Sequence, residues 1–143
     1  MQFTDTALYS DMINNWRNLT SPIKDSNGQI AFWGHEWARH GICSGFDSRL
    51  YFKTALALNK SINVSQVLRA NGIKPGSEYP RRRFVTALRT KIPPKSFAMR
   101  CGHDKNGKKI LTEIRVCTSD TSAIDCPQLQ KLKDNCGSWN INL

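Results

Sequence analysis

The 143-residue chain has no apolar run approaching the roughly 18 residues that a helix needs to cross a bilayer, so a membrane-spanning helix is excluded. It has no C-x-x-C pair, and structural zinc ligands usually come in such close pairs, so its five cysteines argue against a zinc module. Low-complexity tracts and repeats of roughly 20 to 50 residues are missing. Histidine is scarce, limited to His35, His40 and His103. Acidic residues are few, 11 against 21 Lys plus Arg, for a net charge of +10. Hydrophobic residues at 39% and aromatics at 9% suffice for a core, so global disorder is not expected. The length suits one domain, taken as residues 1–143.

The positive charge is concentrated. Residues 69–115 hold 13 basic and 3 acidic side chains, net +10, whereas the segments before and after are close to neutral. A polyanion would be drawn to that middle stretch, which includes Arg81, Arg82, Arg83, Arg89, Lys91, Lys95, Lys105, Lys108 and Lys109. A solvated basic face would have the same composition.

Cys101, Cys117, Cys126 and Cys136 cluster toward the C-terminus and leave Cys43 alone. Cys117–Cys126 closes a short loop and Cys101–Cys136 a longer one around it, although spacing leaves the other pairings open. Sequons at Asn18, Asn59 and Asn63 fit a secreted glycoprotein. Yet the start, Met-Gln-Phe-Thr-Asp-Thr, has neither a basic opening nor an apolar stretch of roughly 7 to 15 residues, so no secretory leader is recognisable.

Apolar spacing predicts an amphipathic helix over 7–17, with Leu8, Met12 and Trp16 on one face and Asp5 or Thr6 as cap. Residues 25–28 read as a turn leading through 29–34 into a helical segment around 35–40 that Gly41 closes. Further helices are expected over 48–58, 62–70 and 80–91, with Ser48 and Ser61 as caps, Gly72 as a terminator and Pro80 in a first turn. Beyond Pro93-Pro94 strands follow, over 96–101 and 108–118, joined by a turn carrying Asn106-Gly107. Ile110, Thr112, Ile114 and Val116 alternate as the expected buried face of that hairpin.

The chemistry concentrates in residues 32–43, which hold two of the three histidines, Glu36, Arg39 and three aromatics. On an α-helix, at about 100° per residue, His35, Arg39, Glu36 and His40 share one arc, while Trp37 and Ala38 turn toward a core. Two imidazoles, a carboxylate and a permanent cation on one face suit a phosphodiester: a base for a proton and cations for a phosphorane's growing charge. A metalloprotease pattern is excluded, because His35 and His40 are five apart instead of four and point apart by about 140°. An ordinary surface helix with a Glu36–His40 pair would carry the same residues.

The segment resembles the second active-site motif of the ribonuclease T2 family, Phe-Trp-x-His-Glu-Trp-x-Lys-His-Gly-Thr-Cys. Phe32, Trp33, His35, Glu36, Trp37, His40, Gly41 and Cys43 stand where that pattern needs them. Weaker similarity runs on through the basic middle to Cys101, Cys117, Cys126-Pro127 and Cys136, resembling the plant branch of S-RNases of self-incompatibility and their S-like relatives. The resemblance implies an α+β fold of helices packed on an antiparallel sheet whose first strands precede this chain. It implies an extracellular, monomeric endoribonuclease that cleaves single-stranded RNA to a 2′,3′-cyclic phosphate without metal or other cofactor. His40 would take the 2′-hydroxyl proton, Glu36 and Arg39 would stabilise the pentavalent transition state, and His35 would hold the phosphate. Phe32 would belong to a base-binding surface, so Phe32, His35, Arg39 and His40 together contact RNA.

Arg39 replaces the family's lysine, exchanging a compact ammonium for a planar fork, and Ile42 replaces threonine. The family's first motif, Phe-Thr-x-His-Gly-Leu-Trp-Pro, supplies the histidine that protonates the leaving 5′-oxygen; here Phe3-Thr4 is followed by Asp5-Thr6, and no match precedes Phe32. Cys43 likewise has no upstream partner. A missing N-terminal portion would account for the histidine, the odd cysteine and the absent leader together, and the chain as it stands is expected to be weak or inactive. The alternative is a non-catalytic RNA-binding, storage or recognition protein that retains the fold, with other proteins as partners in a recognition role.

Overall fold

The computed structural model describes residues 5–143, so the Phe3-Thr4 likeness lies outside the described residues. The chain divides into two compact units, Met1–Leu58 and Asn59–Leu143.

The first unit is helical. Helix α1, Thr6–Asn15, is capped by Asp5, whose carboxylate accepts from Leu8 N–H at 3.0 Å. That hydrogen bond, together with Arg49 at 2.7 Å and Lys53 at 3.0 Å, holds the Asp5 carboxyl far below the usual carboxylate range. The helix stops at Asn15, short of the expected Arg17, because Trp16 leaves the helical region and its carbonyl accepts from the Trp33 indole at 2.6 Å. Residues 25–28, expected as a turn, open helix α2, Ser26–Glu36. Asp25 accepts from Gly28 N–H at 2.9 Å, and the polar residues that favour turns also favour caps. Buried Gln29 accepts from Asn18 N–H at 2.8 Å and so ties the 18–22 loop to α2. A single π turn, Trp37–Gly41, and a 3-10 turn, Ile42–Ser44, follow α2. Helix α3, Ser48–Ile62, is capped by Asp47, which accepts from Leu50 N–H at 2.8 Å, and not by Ser48. Leu8, Met12, Trp33, Phe52 and Leu56 form the core of this unit, with Trp16, Phe32, Trp37 and Tyr51 packed against it.

In the second unit, helix α4, Val64–Ala70, is capped by Asn63 because α3 runs through Ser61; Gly72, at φ +72°, follows its end as expected. Strand β1, Glu78–Pro80, leads into α5, Arg81–Arg89, with Pro80 at the cap position. Strands β2, Phe97–His103, and β3, Lys109–Val116, form the hairpin, and β4, Asn140–Asn142, completes a sheet of order β1-β4-β3-β2. The β1–β4 and β2–β3 pairs are antiparallel, and β3–β4 meet in parallel at Ile110 and Asn142. This is the α+β architecture expected, except that the sheet is mixed and not wholly antiparallel, because β3 and β4 run side by side in the same direction.

The inward face of β3 is Leu111, Ile114 and Val116, while Thr112 is exposed. A register shift between Arg100 and Cys101 pairs Arg100 with Glu113 and Cys101 with Leu111, leaving Thr112 as the extra residue of a bulge. The bulge reverses the parity of the strand, so the strict alternation through Ile110 and Thr112 fails.

Disulfides join Cys101 to Cys136 and Cys117 to Cys126, with Cα atoms 5.0 and 5.3 Å apart. Asp134, beside the first of them, accepts from Met99 N–H at 3.0 Å, Arg81 at 2.8 Å and Cys136 N–H at 3.3 Å. Burial pushes this carboxyl up, but the Met99 hydrogen bond and the Arg81 guanidinium outweigh it and hold it below its ordinary value of 3.8. A lowered folded-state value stabilises the fold above the unfolded-state pKa and is lost as pH falls through the folded one. Asp134→Asn should therefore cost on the order of 1 kcal/mol near neutrality, since solvent screens this exposed carboxylate. Thermal unfolding of both proteins from pH 7 down to about pH 2 checks this: the gap should close on acidification, and a gap constant with pH would refute the assignment.

Of the sequons, Asn18 is half-buried and its side-chain oxygen accepts from Thr20 N–H and Oγ1 at 2.9 and 2.7 Å. Asn59 and Asn63 are exposed, and Asn63 accepts from Gln66 N–H at 3.1 Å.

Candidate active site

The motif residues occupy the end of α2 and the π turn. Trp37 N–H reaches back to Trp33 and Gly34, and Ile42 N–H bonds the Trp37 carbonyl, five residues earlier. That wider turn advances each residue by less than the ~100° of an α-helix, drawing Arg39 and His40 back toward the line of His35 and Glu36. His35, Arg39 and His40 are exposed and Glu36 is half-buried. Three of the four groups that the wheel sets on the polar arc thus meet solvent. The wheel fails at Ala38, expected to face a core but exposed, because the π turn changes the phase after Glu36. Trp37 does turn inward, its ring 5.5 Å from Tyr51.

Gly41 makes this turn possible. It is buried, and a Cβ there would lie 2.1 Å from Cε3 and 2.6 Å from Cζ3 of Trp37. The indole thus packs directly on the Gly41 backbone, whose carbonyl accepts from the Ser44 hydroxyl at 2.6 Å. Gly45, at φ +77°, ends the segment.

Tyr51 on α3 is the neighbour that the motif does not reveal. Its ring also lies 6.2 Å from Trp16 and 5.2 Å from Phe52. Burial, and then the nearby Glu36 carboxylate, push its phenol up, so it keeps its proton beside Glu36 at neutral pH. Only the closure of α3 against the π turn places it there. Phe32 is half-buried against the core of this unit, so its ring is partly committed to packing.

Of the remaining predicted groups, all but Cys43 lie in the second unit. Arg81 pairs with Asp134, and Arg83 donates to the Asn71 carbonyl at 3.2 Å with its guanidinium 5.0 Å over the Tyr79 ring. Both are partly occupied structurally, which reduces them as phosphate contacts, whereas Arg82 is exposed. His103 is exposed at the end of β2, and Cys43 is an exposed free thiol. Among the described residues, no group of three or more His, Cys, Asp or Glu is arranged to hold a metal ion, and no helix is long and apolar enough to cross a membrane.

The family described as the Ribonuclease T2 family matches residues 1–126. Intracellular ribonuclease LX of Solanum lycopersicum is 34% identical over 130 residues, covering 88% of this chain and 52% of that protein. Extracellular ribonuclease LE of the same plant is 32% identical over 126 residues, covering 84% and 53%. A ribonuclease-like storage protein of Panax ginseng is 32% identical over 119 residues, covering 77% and 48%. Among solved structures, a point mutant of RNase MC1 in complex with 5′-GMP superimposes with a TM-score of 0.80 at 26% identity, covering all of this chain and 72% of that one. The chain belongs to the ribonuclease T2 family. It spans about half the length of the curated relatives it matches.

Proposed function

We propose that this chain carries the base-bearing half of an endoribonuclease site and cleaves single-stranded RNA by transesterification. The observation that carries the reading is the set of exposed His35, Arg39 and His40 with half-buried Glu36 across the end of α2 and the π turn, within a motif matched at eight positions. In this reading the His40 imidazole takes the proton of the ribose 2′-hydroxyl, O2′ forms a bond to phosphorus, and the P–O5′ bond breaks. The products are a 2′,3′-cyclic phosphate and a 5′-hydroxyl. Arg39 and His35 hold the non-bridging oxygens while negative charge grows on them, and Glu36 orients the cationic partners. The leaving 5′-oxygen takes up a proton, which completes the 5′-hydroxyl. RNA is the partner, and the extracellular relative and exposed sequons support export and glycosylation.

Incubation with single-stranded RNA followed by chromatography tests this. Cyclic-phosphate termini that survive chelator treatment support it; no product at any pH between about 4 and 8 rejects it.

The similarity to a ginseng storage protein favours one other reading, a protein that retains the fold without turnover. RNA binding that weakens steeply with salt, with no cleavage, would select it.

A further inference from the structure

Trp139 is 72% exposed, the largest aromatic surface given to solvent among the described residues that form the chain's apolar set. It stands on a stiff mount. Cys136, three residues earlier, is completely buried and bonded to Cys101 on β2, while Asn140, one residue later, enters β4. Between them Gly137 adopts φ +62°, a left-handed conformation that side chains resist. A Cβ there would lie 3.4 Å from Cδ1 of Trp139 and 3.9 Å from both its Nε1 and the Lys109 ammonium. Indole and ammonium therefore flank the same glycine, and the lysine is fixed by donating to the Cys136 carbonyl at 3.0 Å.

The register adds further cations. β4 runs parallel to β3 with Asn142 beside Ile110, and Lys109, whose ammonium lies against Gly137, is the first residue of β3, directly after the hairpin turn at Gly107. That turn carries Lys105 and Lys108, both exposed, and is closed by Asp104, which accepts from Asn106 and Lys108 N–H at 2.8 Å each. An exposed indole and a lysine ammonium flanking one glycine, with two more lysines on the turn that precedes that lysine, is the combination that takes a stacked nucleobase and its flanking phosphates.

We propose that Trp139, with Lys105, Lys108 and Lys109, forms a stacking platform for single-stranded RNA, separate in sequence from the motif at 32–43. The site rests on the reading of RNA as the partner and deepens it. Stacking supplies affinity with little base preference, since every base presents a π face, and the lysines make it salt-dependent. A rigid mount lowers the ordering cost of binding.

The test is fluorescence anisotropy of the full chain with a labelled 2′-O-methyl 12-mer, which cannot be cleaved, alongside cleavage of unmodified RNA. Trp139→Ala should weaken binding about tenfold and Trp139→Phe much less. Lys105→Gln with Lys108→Gln should lower the slope of log affinity against log salt by about 1.4, the share of two phosphate contacts on a single strand. Equal affinity of Trp139→Ala and wild type, with cleavage intact, overturns the platform while leaving the ribonuclease reading standing, and points to a protein as the partner of the indole. Absence of both binding and cleavage overturns both. A loss of thermal stability in Trp139→Ala that Trp139→Phe shares would make the ring structural and also overturn the platform.

Discussion

His40→Ala is expected to lower cleavage of single-stranded RNA by about 10² to 10⁴ with little change in KM, because a general base acts in the transition state and not in ground-state binding. The starting rate is itself expected to be low. General acid catalysis contributes a similar factor, and no first-motif histidine stands in these 143 residues to supply it. His40→Ala should therefore approach the uncatalysed background. Single-turnover cleavage of a dinucleoside phosphate, measured for the chain and the variant, checks both statements. An unchanged kcat in His40→Ala would remove the imidazole from the mechanism. His103→Ala should leave the rate where it was, since that side chain is exposed at the end of β2 and belongs to no part of the motif; a loss matching that of His40→Ala would make His103 the missing acid.

The largest effect on stability is expected at Gly41. A methyl group 2.1 Å from the Trp37 ring cannot be absorbed by a small rotation, because that ring is held in turn against Tyr51 at a centroid distance of 5.5 Å. Gly41→Ala should cost about 1 to 3 kcal/mol or more by overpacking, a fall in Tm of roughly 5 to 10 °C for a chain of this size. It should also reduce activity, since the π turn that gathers the polar arc would open. The pair can be separated by a double-mutant cycle: in a Trp37→Ala background the added methyl meets no ring and should cost far less. Additive costs, followed by thermal unfolding, would show that the Gly41–Trp37 contact is not what shapes the turn.

Much of this was legible in the sequence. The resemblance places eight residues of the segment at 32–43 and so identifies the family, because a catalytic motif is a local string whose spacing survives in one dimension. The Asn106-Gly107 turn and the helix faces of Leu8 and Met12 were likewise local: a dipeptide that accepts positive φ and an i+4 apolar period need no distant partner. Capping was legible only in part. Ser, Asp and Asn serve turns and caps equally well, so 25–28 read as a turn and Ser48 and Ser61 as caps, until packing set where each helix begins.

What required the tertiary structure was phase and neighbourhood. The π turn at 37–41 has no signature in residue type; it exists because Trp37 must lie on Gly41 and against Tyr51, and the extra residue it absorbs decides that Ala38 faces solvent. The bulge at Thr112 likewise follows from pairing with β2 and reverses which β3 residues enter the core. Composition located the +10 excess in residues 69–115, but only contacts show that Arg81 is tied to Asp134 and Arg83 to Asn71 and Tyr79. The sequence by itself determined the family and the polar groups available for chemistry, since these are properties of a short string. The three-dimensional fold alone decided which way those groups face and which cations remain for RNA, since orientation and pairing are set by residues distant along the chain.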